Sequence, residues 1–253
     1  MILDSFKLDG KVAIVTGANT GLGQGMCVAL AEAGAKVAGV ARRECDETAD
    51  LIKKNGGEFI AIKADLGSTE PIQRIIKETL DAYGRIDILV NNAGIIIRND
   101  AIDYTEADWD KVTAINEKVV FFLAQAVAKQ FIAQKSGGKI ISVASMLSYQ
   151  GGIRVPAYTS SKSGVLGMTR AMANEWAKYG ICVNAIAPGY MVTNNTEALR
   201  QDKDRSESIL DRIPAQRWGT PQDMGGAVVF LASPASDYVN GFTLAVDGGW
   251  LAR

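Results

Sequence analysis

Lys11-Val-Ala-Ile-Val-Thr-Gly-Ala-Asn-Thr-Gly-Leu-Gly23 sets the fold. Residues 11–16 are a short apolar, β-branched run, the pattern of a strand buried on both faces. Gly17, Gly21 and Gly23 follow as a turn, and Met26, Leu30 and Ala33 continue with helical spacing until Gly34. Strand, glycine turn and helix together make a phosphate-binding unit. Glycines let the backbone approach a pyrophosphate, and the first helical turn offers unpaired N–H groups. The spacing Gly-x-x-x-Gly-x-Gly differs from the Gly-x-Gly-x-x-Gly dinucleotide fingerprint. A tight turn alone would also use three glycines here.

The alternation continues outward along the chain. Further strands are expected at 36–41, 58–63, 86–91, 139–144, 181–187 and 242–246. Ser68, with Pro71 close behind, reads as the start of a helix to about Tyr83. Thr105 with Asp108 at N3 opens a helix expected to run to Gln134, with Asn116 in its interior. Asn is a mediocre helix former, so that position asks for a reason. Pro156 opens a helix to about Tyr179, and Thr220-Pro221 opens one to about Ala232. Residues 190–216 read as polar and irregular, with an amphipathic piece at Leu199, Ile209, Leu210 and Ile213, which suits a lid. The expected fold class is α/β: one domain over 1–253, a parallel sheet of about seven strands wound on both faces. Ligands then sit at the C-terminal strand ends. The glycine turn, 91–94, Ser145 and Pro188-Gly189 all fall there.

Composition narrows the chemistry. The chain has 253 residues, 47% hydrophobic and 22% charged, with formal net charge -1, which gives no general attraction to nucleic acid or membrane. No apolar run is long enough to span a bilayer. The N-terminal residues lack the apolar core of a secretion signal, and Cys27, Cys45 and Cys182 are scattered, so a reducing cytoplasm is expected and a thiol-ligated metal is not. The acidic group Asp103, Glu106, Asp108 and Asp110 reads as a solvated helix start rather than a metal site. The histidine count is 0, which removes Ser-His-Asp triads, Cys-His pairs and imidazole metal sites. Proton transfer near neutral pH must then use a tuned Tyr, Lys, Cys or carboxylate.

Tyr158 and Lys162 supply such a pair. Four residues apart on a helix, they share a face. An ammonium beside a phenol favours the phenolate and pulls its pKa down, making the pair a proton donor to a carbonyl or an acceptor from an alcohol. At the end of the second strand, Ala41 stands where an acid would bind the 2′-OH of NAD, and Arg42 and Arg43 follow; this favours NADP(H). Asp65 either hydrogen-bonds an adenine amine or caps a turn. Asn91 and Asn92 can tie neighbouring backbones, and Gly94 permits close approach to a ligand.

Thr16-Gly-Ala-Asn-Thr-Gly-Leu-Gly23, Asn91-Asn-Ala-Gly94, Asn116, Ser145, Tyr158-x-x-x-Lys162 and Pro188-Gly189, in this order, resemble the short-chain dehydrogenase/reductase family over the full chain. The resemblance implies a Rossmann-type fold with Tyr158 as general acid/base. Lys162 then lowers its pKa and holds the nicotinamide ribose, Ser145 bonds the substrate carbonyl, and Asn116 holds a water that links Lys162 to solvent. It implies a cofactor seat from Gly17, Asn19, Thr20, Gly21, Leu22 and Gly23, from Ala41, Arg42, Asp65 and Leu66, and from Asn92, Ala93 and Gly94. Tyr158, Lys162, Pro188, Gly189, Met191 and Thr193 complete it. The stretches 144–156, 187–196, 210–219 and 236–253 resemble a branch of the family that handles keto-deoxy sugar acids from uronate breakdown, a branch usually NAD-linked. That likeness implies a small sugar-acid substrate, a homotetramer, and substrate contacts from Ser145, Met146, Gln150, Arg154, Tyr158 and Tyr190. Arg154 is the first candidate to read the substrate carboxylate, ahead of Arg98, Arg212 and Arg217. Trp250-Leu251 is expected to pack across a symmetry axis. Two other readings are a broad carbonyl reductase, for example of 3-oxoacyl thioesters, and a non-catalytic dinucleotide sensor. The polar Asn194, Asn195 and Thr196 disfavour a lipid, and an intact Ser145, Tyr158 and Lys162 set disfavours a sensor.

Overall fold

The computed structural model describes residues 1–253. Seven strands form one sheet in the order β3-β2-β1-β4-β5-β6-β7, and every pairing is parallel. They are β1 Val12–Thr16, β2 Lys36–Ala41, β3 Phe59–Lys63, β4 Ile88–Asn91, β5 Gly138–Val143, β6 Ile181–Pro188 and β7 Thr243–Val246. The chain winds outward from β1 in one direction, then returns to begin again at β4. The sequence places apolar residues at successive positions because both faces are covered. Ala13, Val15, Ile88, Val90, Ile141 and Val143 point into one core; Ile14, Leu89 and Ile140 point into the other.

The first core is closed by α1 (Gly21–Glu32) through Met26, Cys27 and Leu30, and by a C-terminal helix (Gly225–Ala232) through Val228 and Leu231. The second is closed by α3 (Ile72–Tyr83), by α5 (Val119–Gln134) through Leu123, Val127 and Phe131, and by α6 (Pro156–Trp176). Between β2 and β3 lies α2 (Asp46–Lys54), which the sequence reading left unassigned. Its single buried stripe of Thr48 and Ile52 is too short to announce itself as a period.

Three expectations are corrected. Ser68 does not cap α3: its hydroxyl accepts from Glu70 N–H at 3.3 Å, and Pro71 itself occupies the N-cap. The 105–134 helix is not uniform. It runs as α4 (Glu106–Thr113), widens into a π-turn at Ala114–Lys118, and resumes as α5. Thr105 does cap it, accepting from Asp108 N–H. Residues 190–216, expected to be an irregular lid, contain two helices, α7 (Glu197–Gln201) and α8 (Lys203–Arg212), before the chain reaches α9, the Gly225–Ala232 helix. Asp202 caps α8, accepting from Arg205 N–H at 3.1 Å. No helix is long and apolar enough to cross a membrane.

Glycines divide sharply by role. A β-carbon on Gly23 would stand 2.0 Å from the Gly17 carbonyl oxygen, whereas one on Gly226 in α9 meets nothing within 4 Å. Gly23→Ala is therefore expected to destabilise the chain by about 1–3 kcal/mol or more through overpacking. Gly226→Ala is expected to stabilise it by up to about 1 kcal/mol through helix propensity. Paired thermal melts of the two variants check both signs.

Candidate active site

The site lies where the winding reverses, between the C-terminal ends of β1 and β4. Gly17 and Gly21 take φ of +69° and +58°, a region that favours glycine. Gly23 lets the turn fold back on itself, so that α1 presents its first N–H groups to the cleft; Thr20, its N-cap, makes no side-chain cap bond. Thr16 stitches the two strand ends. Its hydroxyl accepts from the N–H groups of Asn92 (3.0 Å) and Ala93 (2.9 Å), and its carbonyl accepts from the Asn92 amide at 2.8 Å. The Asn91 amide reaches the Val120 carbonyl at 3.4 Å, tying β4 to α5.

The opposite wall carries the titratable groups. Lys162 is buried, and its ammonium donates to the Val143 carbonyl at 2.6 Å. Desolvation lowers its pKa to about 8. Tyr158, one helical turn earlier, is half-buried, with the Lys162 nitrogen 5.7 Å from its ring centre. Burial pushes the phenol up; the Ser145 hydroxyl and the Arg98 charge pull it partly back. Burial is thus the largest influence on this phenol, while the Lys162 ammonium is held by a backbone carbonyl. Ser145 is buried at the end of β5, where its oxygen accepts from Leu147 N–H at 3.1 Å. Ser148 fixes that turn to α6 by donating to the Lys162 carbonyl at 2.6 Å.

Asn116 explains the π-turn. Its side-chain oxygen accepts from Ile95 N–H at 2.9 Å, and its amide donates to the Ile95 carbonyl at 2.9 Å and to Ser161 at 3.3 Å. The widened turn aims a helix-interior Asn at the strand-end loop. Gly94 makes room: a β-carbon there would stand 3.1 Å from the Asn116 oxygen and 3.7 Å from the Lys162 nitrogen. Asn116 therefore stands behind the cleft wall rather than on it.

The cleft holds about 440 Å³ and brings together Gly17, Asn19–Gly23, Asn92–Gly94, Ser145, Tyr158, Lys162, Pro188, Gly189, Met191 and Thr193. Several anticipated residues fall outside its lining. Ala41 is buried, and it is Arg43 that lines the cleft, not Arg42. The backbone bends at 42–43, so strand alternation no longer tells which arginine turns inward. Glu44, the next acid, pairs with Lys63. Asp65 is exposed and accepts from Gly67 N–H at 2.9 Å, and Leu66 is in the core. Met146 is buried in a small separate cluster, Gln150 bonds Trp250, and Tyr190 stacks against Trp218 and Trp250. Arg154 is exposed and paired with Asp100 at 3.0 Å. The Trp250 side chain is buried within its own chain and so is not available to pack across an axis, whereas Leu251 is half-buried. Residues the sequence reading left off its site include Arg43, Val143 and Ala144, together with Asn194, Asn195 and Thr196 from the lid. Only the polarity of those last three had signalled them.

A glycine cradle at a strand switch point, facing a buried Ser and Lys and a half-buried Tyr, defines a nucleotide-dependent oxidoreductase of the parallel α/β class. The family model described as enoyl-(acyl carrier protein) reductase matches residues 17–251. The chain is 60% identical over 253 residues to 2-dehydro-3-deoxy-D-gluconate 5-dehydrogenase of Escherichia coli (strain K12), covering 100% of both. It is equally 60% identical over 253 residues, again 100% of both, to the protein of that name in Dickeya dadantii (strain 3937). A crystal structure from Agrobacterium tumefaciens, described as a 2-deoxy-D-gluconate 3-dehydrogenase with bound NADP, superposes with a TM-score of 0.93 at 55% identity, covering 99% of this chain and 100% of that one. The chain belongs to the short-chain dehydrogenase/reductase family.

The buried lysine gives the site a pH signature. Carbonyl reduction is expected to slow as pH rises through about 8, where Lys162 loses the charge that supports a nascent phenolate. Lys162→Arg keeps a cation and is expected to abolish that inflection while lowering turnover overall; pH profiles of the two enzymes check this. The folded pKa is depressed, so between about 8 and the ordinary 10.5 the unfolded chain binds more protons, and this lysine's contribution to stability rises with pH across that window.

Proposed function

We propose that the chain is an NADP(H)-dependent oxidoreductase that interconverts the carbonyl and the secondary alcohol at C5 of 2-dehydro-3-deoxy-D-gluconate. The observation that carries this reading is the facing of Ser145, Tyr158 and Lys162 toward the glycine cradle across one cleft. The cradle suits a dinucleotide because its turn is packed too tightly for side chains, a β-carbon on Gly17 standing 2.7 Å from the Asn92 amide and one on Gly23 2.0 Å from the Gly17 carbonyl oxygen, which leaves backbone N–H groups to meet the pyrophosphate. Glycine-turn and α1 N–H groups would hold the pyrophosphate of a bound dinucleotide, and Lys162 and Tyr158 would face its nicotinamide ribose. Such a cofactor would supply or accept the hydride when bound. Ser145 and Tyr158 hold the substrate oxygen where negative charge develops, and Tyr158 gives up its proton to that oxygen.

Two arginines set selectivity in this reading. Arg43 lines the adenosine end beside an acid-free strand end, which favours the 2′-phosphate of NADP. Arg98 takes the substrate carboxylate, replacing Arg154 in that role. Its guanidinium donates to the Asn195 carbonyl on the lid at 3.2 Å, its charge is felt at Tyr158, and no carboxylate neutralises it. Arg154 is already spent on Asp100. The reading includes a cytoplasmic homotetramer; the exposed Phe122, Tyr238 and Phe242 support association between copies.

Reduced-cofactor consumption with the diketo sugar acid tests the whole. Tyr158→Phe is expected to lower turnover by roughly 10²–10⁴. Arg43→Ala is expected to raise KM for NADPH about tenfold or more and to leave NADH nearly unchanged. Arg98→Ala is expected to raise KM roughly tenfold or more for the sugar acid but not for a neutral diketone, with Arg154→Ala nearly silent. Turnover of 3-oxoacyl thioesters in place of the sugar acid would keep the family and replace the substrate.

A further inference from the structure

The C-terminal tail is drawn back into the chain. After β7, Asp247-Gly248-Gly249 reverses direction, with φ of +65° and +89° at the two glycines. The Asp247 carboxylate accepts from the N–H groups of Gly249 (2.9 Å) and Leu251 (2.9 Å). A β-carbon on Gly248 would stand 3.0 Å from Ile213, and one on Gly249 3.1 Å from Pro214. Both positions need glycine twice over, for the backbone and for the contact. The turn is therefore built to press against the end of the lid.

Trp250 follows and is buried with Met146, Ile209 and Ile213 in a cluster separate from the two sheet cores. Its ring meets Tyr190 edge-on at 4.8 Å, and the Arg212 guanidinium lies over it at 4.1 Å. Its indole N–H donates to the Gln150 side-chain oxygen at 3.2 Å, and Arg212 donates to the same oxygen at 3.3 Å. Both partners can only donate, so the amide has one possible orientation. Three separate parts of the chain converge on this ring: the loop after Ser145, helix α8 of the lid, and Tyr190 beyond β6. Met146 adjoins Ser145 directly in sequence.

We infer that Trp250 is a positioning residue for the substrate half of the site, locking the Ser145 turn to lid helix α8. The Gly17–Gly23 turn itself makes none of these contacts. The kinetic readout rests on the sugar-acid reading above; the readout on the lid does not. If Trp250 only filled a core, its loss would lower stability without separating substrate from cofactor.

Trp250→Phe keeps an aromatic ring and removes the N–H donor; Gln150→Leu removes the acceptor. In the full-length enzyme, each is expected to raise KM for the diketo sugar acid about fivefold, with NADPH affinity by fluorescence unchanged. Each is expected to speed tryptic cleavage at Lys203 and Arg205 of α8 about fivefold in the NADPH-loaded protein. The double variant is expected to be no worse than Gln150→Leu alone, because the bond that Trp250→Phe removes is already lost in Gln150→Leu. Unchanged lid cleavage overturns the inference, as does a fall in NADPH affinity equal to the rise in KM. A wild-type enzyme inert to the sugar acid would sink the proposed function alone, and lid cleavage would still decide the role of Trp250.

Discussion

A buried ammonium governs the architecture of the site. Lys162 lies inside the protein with the Val143 carbonyl as its anchor, and an unpaired charge there would cost several kcal/mol. One backbone bond at 2.6 Å offsets part of that cost, and the pKa near 8 records what remains. The surrounding features follow from keeping this cation in place. Gly94 leaves room for the Asn116 amide, which ties to Ile95, and Ser148 pins the backbone of Lys162 itself. The π-turn at 114–118 is the backbone distortion that lets Asn116 do so.

Protein structure then accounts for acid-base chemistry in a chain without histidine. A phenol raised by burial stays protonated at neutral pH and can donate. The charges of Lys162 and Arg98, with the Ser145 hydroxyl, define where its anion is tolerated. Desolvation is thus not a defect to be overcome. It keeps the Tyr158 phenol protonated, the form the proposed function requires, and it strengthens the nearby dipoles.

Much of this was legible in the sequence, and the limits have physical causes. The strands were readable because a sheet covered on both faces demands unbroken apolar runs, and the ends of β2 fall where Lys36 and Ala41 placed them. The glycine turn, Asn91–Gly94 and the Tyr158/Lys162 pair were readable because short-range backbone geometry fixes them. Helix α2 was missed because nine residues with two buried positions leave no period to detect. Arg42 was chosen over Arg43 because alternation ends where the strand ends. Arg154 was preferred on sequence proximity to Tyr158, but a positive φ of 65° and Asp100 hold it outward.

The two halves of the cleft differ in how they are determined. The cofactor half is built from turns whose partners lie at adjacent strand ends, so sheet register alone places them. The substrate half is built from contacts with no local signal: Gln150 meets Trp250 a hundred residues later, and Arg98 meets Asn195 ninety-seven later. Such contacts form only when the lid, the Ser145 loop and the tail are all in place. A sheet edge can be conserved in geometry while this half is rebuilt by changing a few side chains on α8 or the tail. The same separation that hides the substrate half from sequence reading leaves it free to specify different small molecules on one unchanged cofactor platform.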